Sequence, residues 1–265
     1  MIPKKSLGQH FLHSAYYLGL MADAANVTQS DYVVEVGPGE GALTEVLLTR
    51  GATVVALEKD RRLIPVLQEK FKKEIAKGKF ILHECDALEA NIAKLVPKNK
   101  PYKVVANIPY YITGALLQKF LTSTVQPRTL VFLIQKEVAQ RITGHPSTSL
   151  RVTKESILSL SVKAYGTPAY IKTVPKGAFS PPPTVDSAIL RIEDISRAHF
   201  TNAPMEKRFF EFVKAGFAQK RKLLKRNVEK ILGKKTGEAF AKADIADNAR
   251  AEDVPLEKWL MLSGK

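Results

Sequence analysis

The chain has 265 residues, 45% of them hydrophobic, a single cysteine, and 41 Lys+Arg against 26 Asp+Glu, for a formal net charge of +15. That is enough chain for one large domain and one small one. No apolar run reaches the length of a membrane span, and a lone Cys85 precludes an internal disulfide and fits a reducing cytoplasm. So basic a balance points to a polyanion, and the lack of a long basic amphipathic helix ahead of the fold favours nucleic acid over a membrane surface.

In chain order, residues 1–5 carry no apolar signal core, so no export is expected. Residues 4–12 are basic, then compact, and are expected to form an ordered arm packed on the domain. Apolar spacing predicts a helix over about 14–27, a strand over 32–36 and a helix over 42–50 ending at Gly51. A second buried strand, 53–58, closes on Glu58, and Asp60 can cap a helix running to about residue 76. A third strand, 79–86, closes on Asp86. The fourth, 102–107, runs directly into Ile108-Pro109-Tyr110-Tyr111. The fifth, 129–135, leads into a helix over 136–143.

Residues 144–149 read as a polar loop and 154–165 as helical. Residues 169–174 and 185–192 are strand-like, on either side of Phe179-Ser180-Pro181-Pro182-Pro183. After about Asp194 the strand signal ends. Residues 205–263 predict short helices carrying the basic side chains Lys214, Lys220, Arg221, Lys222, Lys225 and Arg226. The alternation predicts an α/β chain: a doubly wound, mostly parallel Rossmann-like sheet with an antiparallel final strand. The expected domains are 1–194 and a small helical one over 195–265.

The chemistry gathers at strand ends. Val33-Val34-Glu35-Val36-Gly37-Pro38-Gly39-Glu40-Gly41 is a buried strand, an acid and a tight glycine turn opening a helix. Glycines at Gly37 and Gly39 let a ligand lie on the backbone. The spacing suits a dinucleotide or S-adenosylmethionine. Glu35 inside the strand and an early third glycine, Gly41, lean toward the methyl donor. Glu58 stands about 20 residues past the turn, where a nucleoside ribose lies in this architecture. Asp86 ends the next strand, where its carboxylate can accept from an adenine amine. Either acid could instead be a helix cap.

Asn107-Ile108-Pro109-Tyr110 narrows the choice. The exocyclic amine of a planar base is a poor nucleophile, because its lone pair is delocalised into the ring. Hydrogen bonds from its N–H groups to the Asn107 oxygen and to a carbonyl near Ile108 or Pro109 would favour a pyramidal nitrogen. Pro109 fixes the turn, and Tyr110 offers a ring for the base to stack on. Phe179, ahead of three prolines, is an aromatic at the mouth of a rigid loop, or else a core residue anchoring a turn. His13, His83, His145 and His199 show no ligand spacing, so no metal is expected.

These segments, with Gly-Gln-His-Phe-Leu at 8–12, Gln-Lys-Glu-Val-Ala at 135–139, Phe-Ser-Pro-Pro-Pro-Thr-Val-Asp-Ser-Ala at 179–188 and Gly-Phe-Ala-Gln-Lys-Arg-Lys at 216–222, resemble the rRNA adenine N6,N6-dimethyltransferases, within them the small-subunit (16S) branch. The resemblance implies a class I methyltransferase domain and dimethylation of two adjacent adenosines in the 3′-terminal hairpin loop of 16S rRNA, on an assembling subunit. It also implies S-adenosylmethionine contacts from His10, Leu12, Gly37, Gly39, Glu58, Asp86 and Asn107. Asn107, Pro109 and Tyr110 would surround the reacting amine, with Phe179 stacked on the base opposite Tyr110. A monomer is expected. Rival readings are a large-subunit adenine methyltransferase, a non-catalytic RNA-binding assembly factor and a dehydrogenase.

Overall fold

Five strands of the chain are almost unbroken apolar runs, which suits strands covered on both faces. A computed structural model of the chain describes residues 10–98, 100–144, 154–219 and 221–264. The expected arm over 4–9, the loop over 145–153 with His145, and Lys220 lie outside the described residues. The strands are β1 (Phe11–Leu12), β2 (Tyr32–Val36), β3 (Thr53–Glu58), β4 (Phe80–Glu84), β5 (Tyr102–Asn107), β6 (Thr129–Gln135), β7 (Thr167–Val174), β8 (Phe179–Ser180) and β9 (Ser187–Glu193). The helices of the first part are α1 (Ala15–Ala24), α2 (Ala42–Thr49), α3 (Ile64–Lys70), α4 (Lys72–Ala76), α5 (Ile92–Leu95), α6 (Thr113–Thr122) and α7 (Lys136–Thr143). They are followed by α8 (Ile157–Lys163), α9 (Ala203–Gly216), α10 (Leu224–Leu232), α11 (Thr236–Lys242) and α12 (Leu256–Leu262).

Seven strands form one sheet in the order β4-β3-β2-β5-β6-β9-β7. β2 pairs parallel with β3 and β5, β3 with β4, and β5 with β6. β9 runs antiparallel to β6, with Leu130 opposite Ile192 and Gln135 opposite Ser187. The strand order reverses between β2 and β5. Open α/β sheets present a crevice at the carboxyl ends of such strands, where ligands bind. Leu47, Val33, Val54, Val105, Val131 and Ile189, all fully buried, belong to one core that holds these strand ends at fixed spacing.

A second, two-stranded sheet was not foreseen. β1 pairs antiparallel with β8, placing Phe11 opposite Ser180 and Leu12 opposite Phe179. Two-residue strands carry no periodicity a sequence reading could detect. The pairing joins the arm before α1 to the proline-rich loop, and His10 Nδ1 lies 2.8 Å from the Pro181 carbonyl.

The helix expected from Asp60 to residue 76 is two short helices. The Asp60 carboxylate is spent on the backbone N–H and the guanidinium of Arg62, so it closes a turn and not a helix. The helix starts beyond Leu63, with Pro65 in its first turn, and breaks at Phe71.

By its internal contacts the chain divides into two units, 1–139 with 168–195 and 140–167 with 196–265. This differs from the expected continuous domain over 1–194. Within the second unit, Ser156 and Ser159 form a capping box for α8, and the helix leads into Tyr165. Tyr165 stacks on Phe210 at 5.9 Å and donates its hydroxyl to Glu206, which also receives Arg197 Nε at 3.3 Å. An amphipathic helix announces that it has a buried face but not which element covers it. No described helix is long and apolar enough to cross a membrane.

Tight packing in the second unit centres on Trp259. It is fully buried, donates Nε1–H to Val254 O at 3.0 Å and stacks on Phe217 at 5.8 Å. A Cβ on Gly216, the last residue of α9, would lie 2.3 Å from Trp259 and 2.7 Å from Leu224. Gly216→Ala is therefore expected to lower stability by about 1–3 kcal/mol through overpacking. The check is the urea midpoint, which would stay at its wild-type value if the indole could shift freely.

Candidate active site

The three glycines of the turn after β2 do three different jobs. All have positive φ, at +66° for Gly37, +59° for Gly39 and +80° for Gly41, a region most side chains avoid. A side chain at Gly37 would project into open space, with nothing within 4 Å. At Gly39 it would strike the ring of Phe11 at 2.9 Å, and at Gly41 the ring of Phe71 at 2.5 Å. Gly37 thus leaves room for a ligand, while Gly39 and Gly41 admit aromatic rings.

Three of the turn's amide hydrogens are engaged within the protein. Gly37 N–H donates to Leu57 O at 2.9 Å, Gly39 N–H to Glu58 Oε2 at 3.2 Å, and Gly41 N–H to Pro38 O at 2.9 Å. Pro38 has none to give. A pyrophosphate cradle works by aiming such N–H groups at the anion. This turn offers carboxylates instead, which disfavours the dinucleotide alternative on geometric grounds.

Three carboxyl groups line the cavity, each in a different environment. Glu35 is 1% exposed and receives Thr44 Oγ1–H at 2.6 Å. Burial pushes its pKa up to about 8, partly opposed by the Thr44 hydrogen bond and reinforced by the nearby Glu58 carboxylate. Glu58, also buried, accepts from Gly39 N–H and from Asp60 N–H at 2.7 Å. Burial raises its pKa more than these hydrogen bonds lower it. Asp86 is different. It accepts from Lys59 Nζ at 2.7 Å and Leu88 N–H at 2.8 Å, and the Lys59 bond, aided by Leu88, holds its pKa below the ordinary carboxylate value.

Across the crevice, Asn107 ends β5. Its Nδ2 donates to the His10 carbonyl at 3.2 Å, and Oδ1 has no donor among the described residues. Pro109 then turns the chain (φ −58°, ψ 134°) into a short 3-10 turn, Tyr110–Ile112, and its carbonyl accepts Ile112 N–H at 3.2 Å. The Tyr110 hydroxyl is 2.7 Å from Ser187 Oγ, and its ring stacks with that of His10 at a centroid distance of 6.3 Å and 24°.

One cavity of about 200 Å3 brings these groups together. His10, Leu12, Gly37, Gly39, Glu58, Asp86, Asn107, Pro109, Tyr110 and Phe179 all line it, as do Glu35, Lys59 and Tyr111. The residues expected around the donor and the reacting amine are all present, whereas Gly41 is not among the lining residues. Phe179 is only 6% exposed and belongs to the core as well as to the cavity wall, and the ring stacked on Tyr110 is that of His10. Three contributions were not foreseen. Lys59 neutralises Asp86, Ser187 fixes the Tyr110 hydroxyl, and Phe11 covers Gly39. Phe11 and Ser187 lie within the segments 8–12 and 179–188, but their roles, like that of Lys59, depend on contacts between distant segments. Among the described residues no group of three or more His, Cys, Asp or Glu could hold a metal ion.

Sheet order, acidic glycine turn and strand-end carboxylates together define a class I methyltransferase domain. Comparison with known proteins narrows this. The family model described as "Ribosomal RNA adenine dimethylase" matches residues 3–264, and the chain belongs to that family. It is similar to proteins named "Ribosomal RNA small subunit methyltransferase A" from Dehalococcoides mccartyi (40% identity over 262 residues, 98% of this chain and 87% of the relative) and from Bacillus pumilus (36% over 270 residues, 98% and 90%). Among solved structures it resembles the 23S rRNA methyltransferase ErmE, with a TM-score of 0.76 and 26% identity over 96% of this chain and 98% of that one. It shares the fold of a Plasmodium falciparum dimethyladenosine transferase, with a TM-score of 0.73 and 23% identity over 96% of each chain.

Glu35 yields a pH-dependent test. The ordinary carboxyl titrates near 4.5 and the folded one near 8, so between these values the native state holds a proton the unfolded chain releases. Stability contributed by this group therefore falls as pH rises through that window. Glu35→Gln should remove that fall, so that the urea midpoint of the variant gains on wild type steadily from pH 5 to pH 8. A midpoint difference independent of pH would contradict the assignment.

Proposed function

We propose that this chain is an S-adenosylmethionine-dependent enzyme that dimethylates N6 of two adjacent adenosines in the 3′-terminal hairpin loop of 16S rRNA. We infer that it acts as a cytoplasmic monomer on an assembling small subunit. The observation that carries the reaction chemistry is the Asn107 side chain. Its amide nitrogen is anchored on His10 O, which presents the oxygen as an acceptor at the cavity. Family membership and the names of the small-subunit relatives support the substrate.

The cavity suits the donor. The open space beside Gly37 admits it against the backbone, and Glu58 can accept from ribose hydroxyls. Asp86 keeps lone pairs for an adenine amine beside its bond to Lys59. Leu12 and His10 would close the cavity over the same ligand. When bound, S-adenosylmethionine supplies an electrophilic methyl on a sulfonium and leaves as a neutral thioether.

The target base would lie against the Tyr110 ring, held in place by Ser187, with Phe179 on the same cavity wall. The amine's two N–H groups donate to Asn107 Oδ1 and to the Ile108 carbonyl, since the Pro109 carbonyl is engaged by Ile112 N–H. Those bonds draw the nitrogen lone pair out of the ring and aim it at the methyl carbon. The resulting ammonium is acidic and passes its proton to water, so no dedicated base is needed. Rate then comes from alignment and electrostatic preorganisation.

Asn107→Ala is expected to lower methyl transfer to subunits lacking the modification by about 10²-fold or more, with the donor still bound and the fold intact. Full activity of the variant would overturn the role given to Asn107. Mapping the methylated nucleotide in the wild-type reaction tests the substrate. Modification confined to 23S rRNA would favour the large-subunit reading that the ErmE likeness keeps open.

Binding of the RNA would draw on the second unit. Lys214, Arg221, Lys222 and Arg226 are exposed and unpaired among the described residues, whereas Lys225 is tied to Asp247 at 2.8 Å. Replacing Arg221, Lys222 and Arg226 by Ala should flatten the slope of log K against log salt by about 0.7–0.9 for each phosphate no longer neutralised. Replacing Lys225 should change it less. Equal slopes for all variants would remove this surface from the interface.

A further inference from the structure

Tyr111 is 67% exposed, yet it stands on the 3-10 turn directly after Tyr110 and lines the same cavity. A lone exposed apolar residue needs no explanation, so exposure alone decides nothing. The setting does. Tyr110 is held by Ser187 and His10, whereas Tyr111 makes no hydrogen bond or ring contact among the described residues. Two thirds of its surface is open at the mouth of the cavity.

Lys59 stands beside it. The ammonium is paired first with Asp86, and the Tyr111 phenol and Glu89 are close enough to add smaller electrostatic contributions. An aromatic platform next to a cation at a cavity mouth is the combination that binds single-stranded nucleic acid, with the base on the ring and the phosphate on the charge. A base drawn into the cavity stays bonded to its neighbour through one phosphodiester. The neighbouring base therefore stays at the mouth of the cavity, where the exposed Tyr111 stands.

We propose that Tyr111 is the stacking platform for the nucleobase adjacent to the target, a subsite for a purine flanking the methylated adenosine, with Lys59 facing the phosphate between them. The inference rests on the function proposed above. In a substrate with two adjacent adenosines, the base on Tyr111 is the other adenosine, held outside while its neighbour reacts.

The test compares wild type, Tyr111→Ala and Tyr111→Phe on an unmodified hairpin RNA carrying 2-aminopurine beside the target adenosine. Tyr111→Ala should raise KM for the RNA by about 10–100-fold, the scale of one missing base–aromatic stack, with a much smaller change in kcat. Donor affinity, read by calorimetry, should stay within about twofold if Tyr111 acts on RNA alone. The 2-aminopurine emission should be quenched on binding to wild type and to Tyr111→Phe, and not on binding to Tyr111→Ala. Quenching that survives in Tyr111→Ala, or a loss confined to donor affinity, would overturn the proposal. Failure of wild type to methylate any rRNA would instead defeat the function it rests on, while the quenching comparison would still report on Tyr111.

Discussion

The site depends on one hydrogen bond, from Gly39 N–H to the Glu58 carboxylate. It ties the turn after β2 to the end of β3 and uses the amide a phosphate would have needed. The second oxygen of Glu58 takes Asp60 N–H, so the carboxylate is held at both ends while its remaining lone pairs face the cavity. A glycine-rich turn that gives an amide to a buried acid is thereby committed to that acid and not to an anionic ligand. The same turn with free amide hydrogens would favour an anion.

That commitment sets up a contrast of charge within one chain. The formal balance is +15, yet the cavity wall carries Glu35, Glu58 and Asp86. Of these three, Asp86 is directly neutralised, by Lys59. For Glu35 and Glu58, burial works against ionisation. The carboxyl-lined interior and the exposed basic helices are thus two different kinds of surface. A net charge of +15 attracts polyanions over long range.

Much of this was legible in the sequence where a local rule applied. The strands over 102–107 and 129–135 and the helix over 136–143 coincide with the observed elements, because each is a clean apolar or amphipathic run bounded by a change of pattern. The acids at the ends of β2 and β3, Asp86 just beyond β4, and Asn107 were marked by their place at the end of such runs. What escaped was long-range. The β1–β8 pairing spans most of the first unit in sequence, and two residues carry no period. The grouping of 140–167 with the C-terminal helices depends on Tyr165 finding Phe210 and Glu206. The partner of Asp86 was hidden for the same reason: Lys59 looks like any surface lysine until the fold sets it 2.7 Å away.

The little β1–β8 ribbon has a consequence for how the molecule comes into being. The residues of the cavity floor, from Glu35 to Tyr110, all lie within about the first hundred and ten of the chain. Its roof, where Leu12 meets Phe179 and His10 meets Pro181, waits for a stretch some seventy residues further on. The arm before α1 already meets the floor through His10 with Asn107 and Tyr110, and its β1–β8 pairing can form only once that later stretch has been made. Competence arrives only when two segments that were made far apart in time are zipped together.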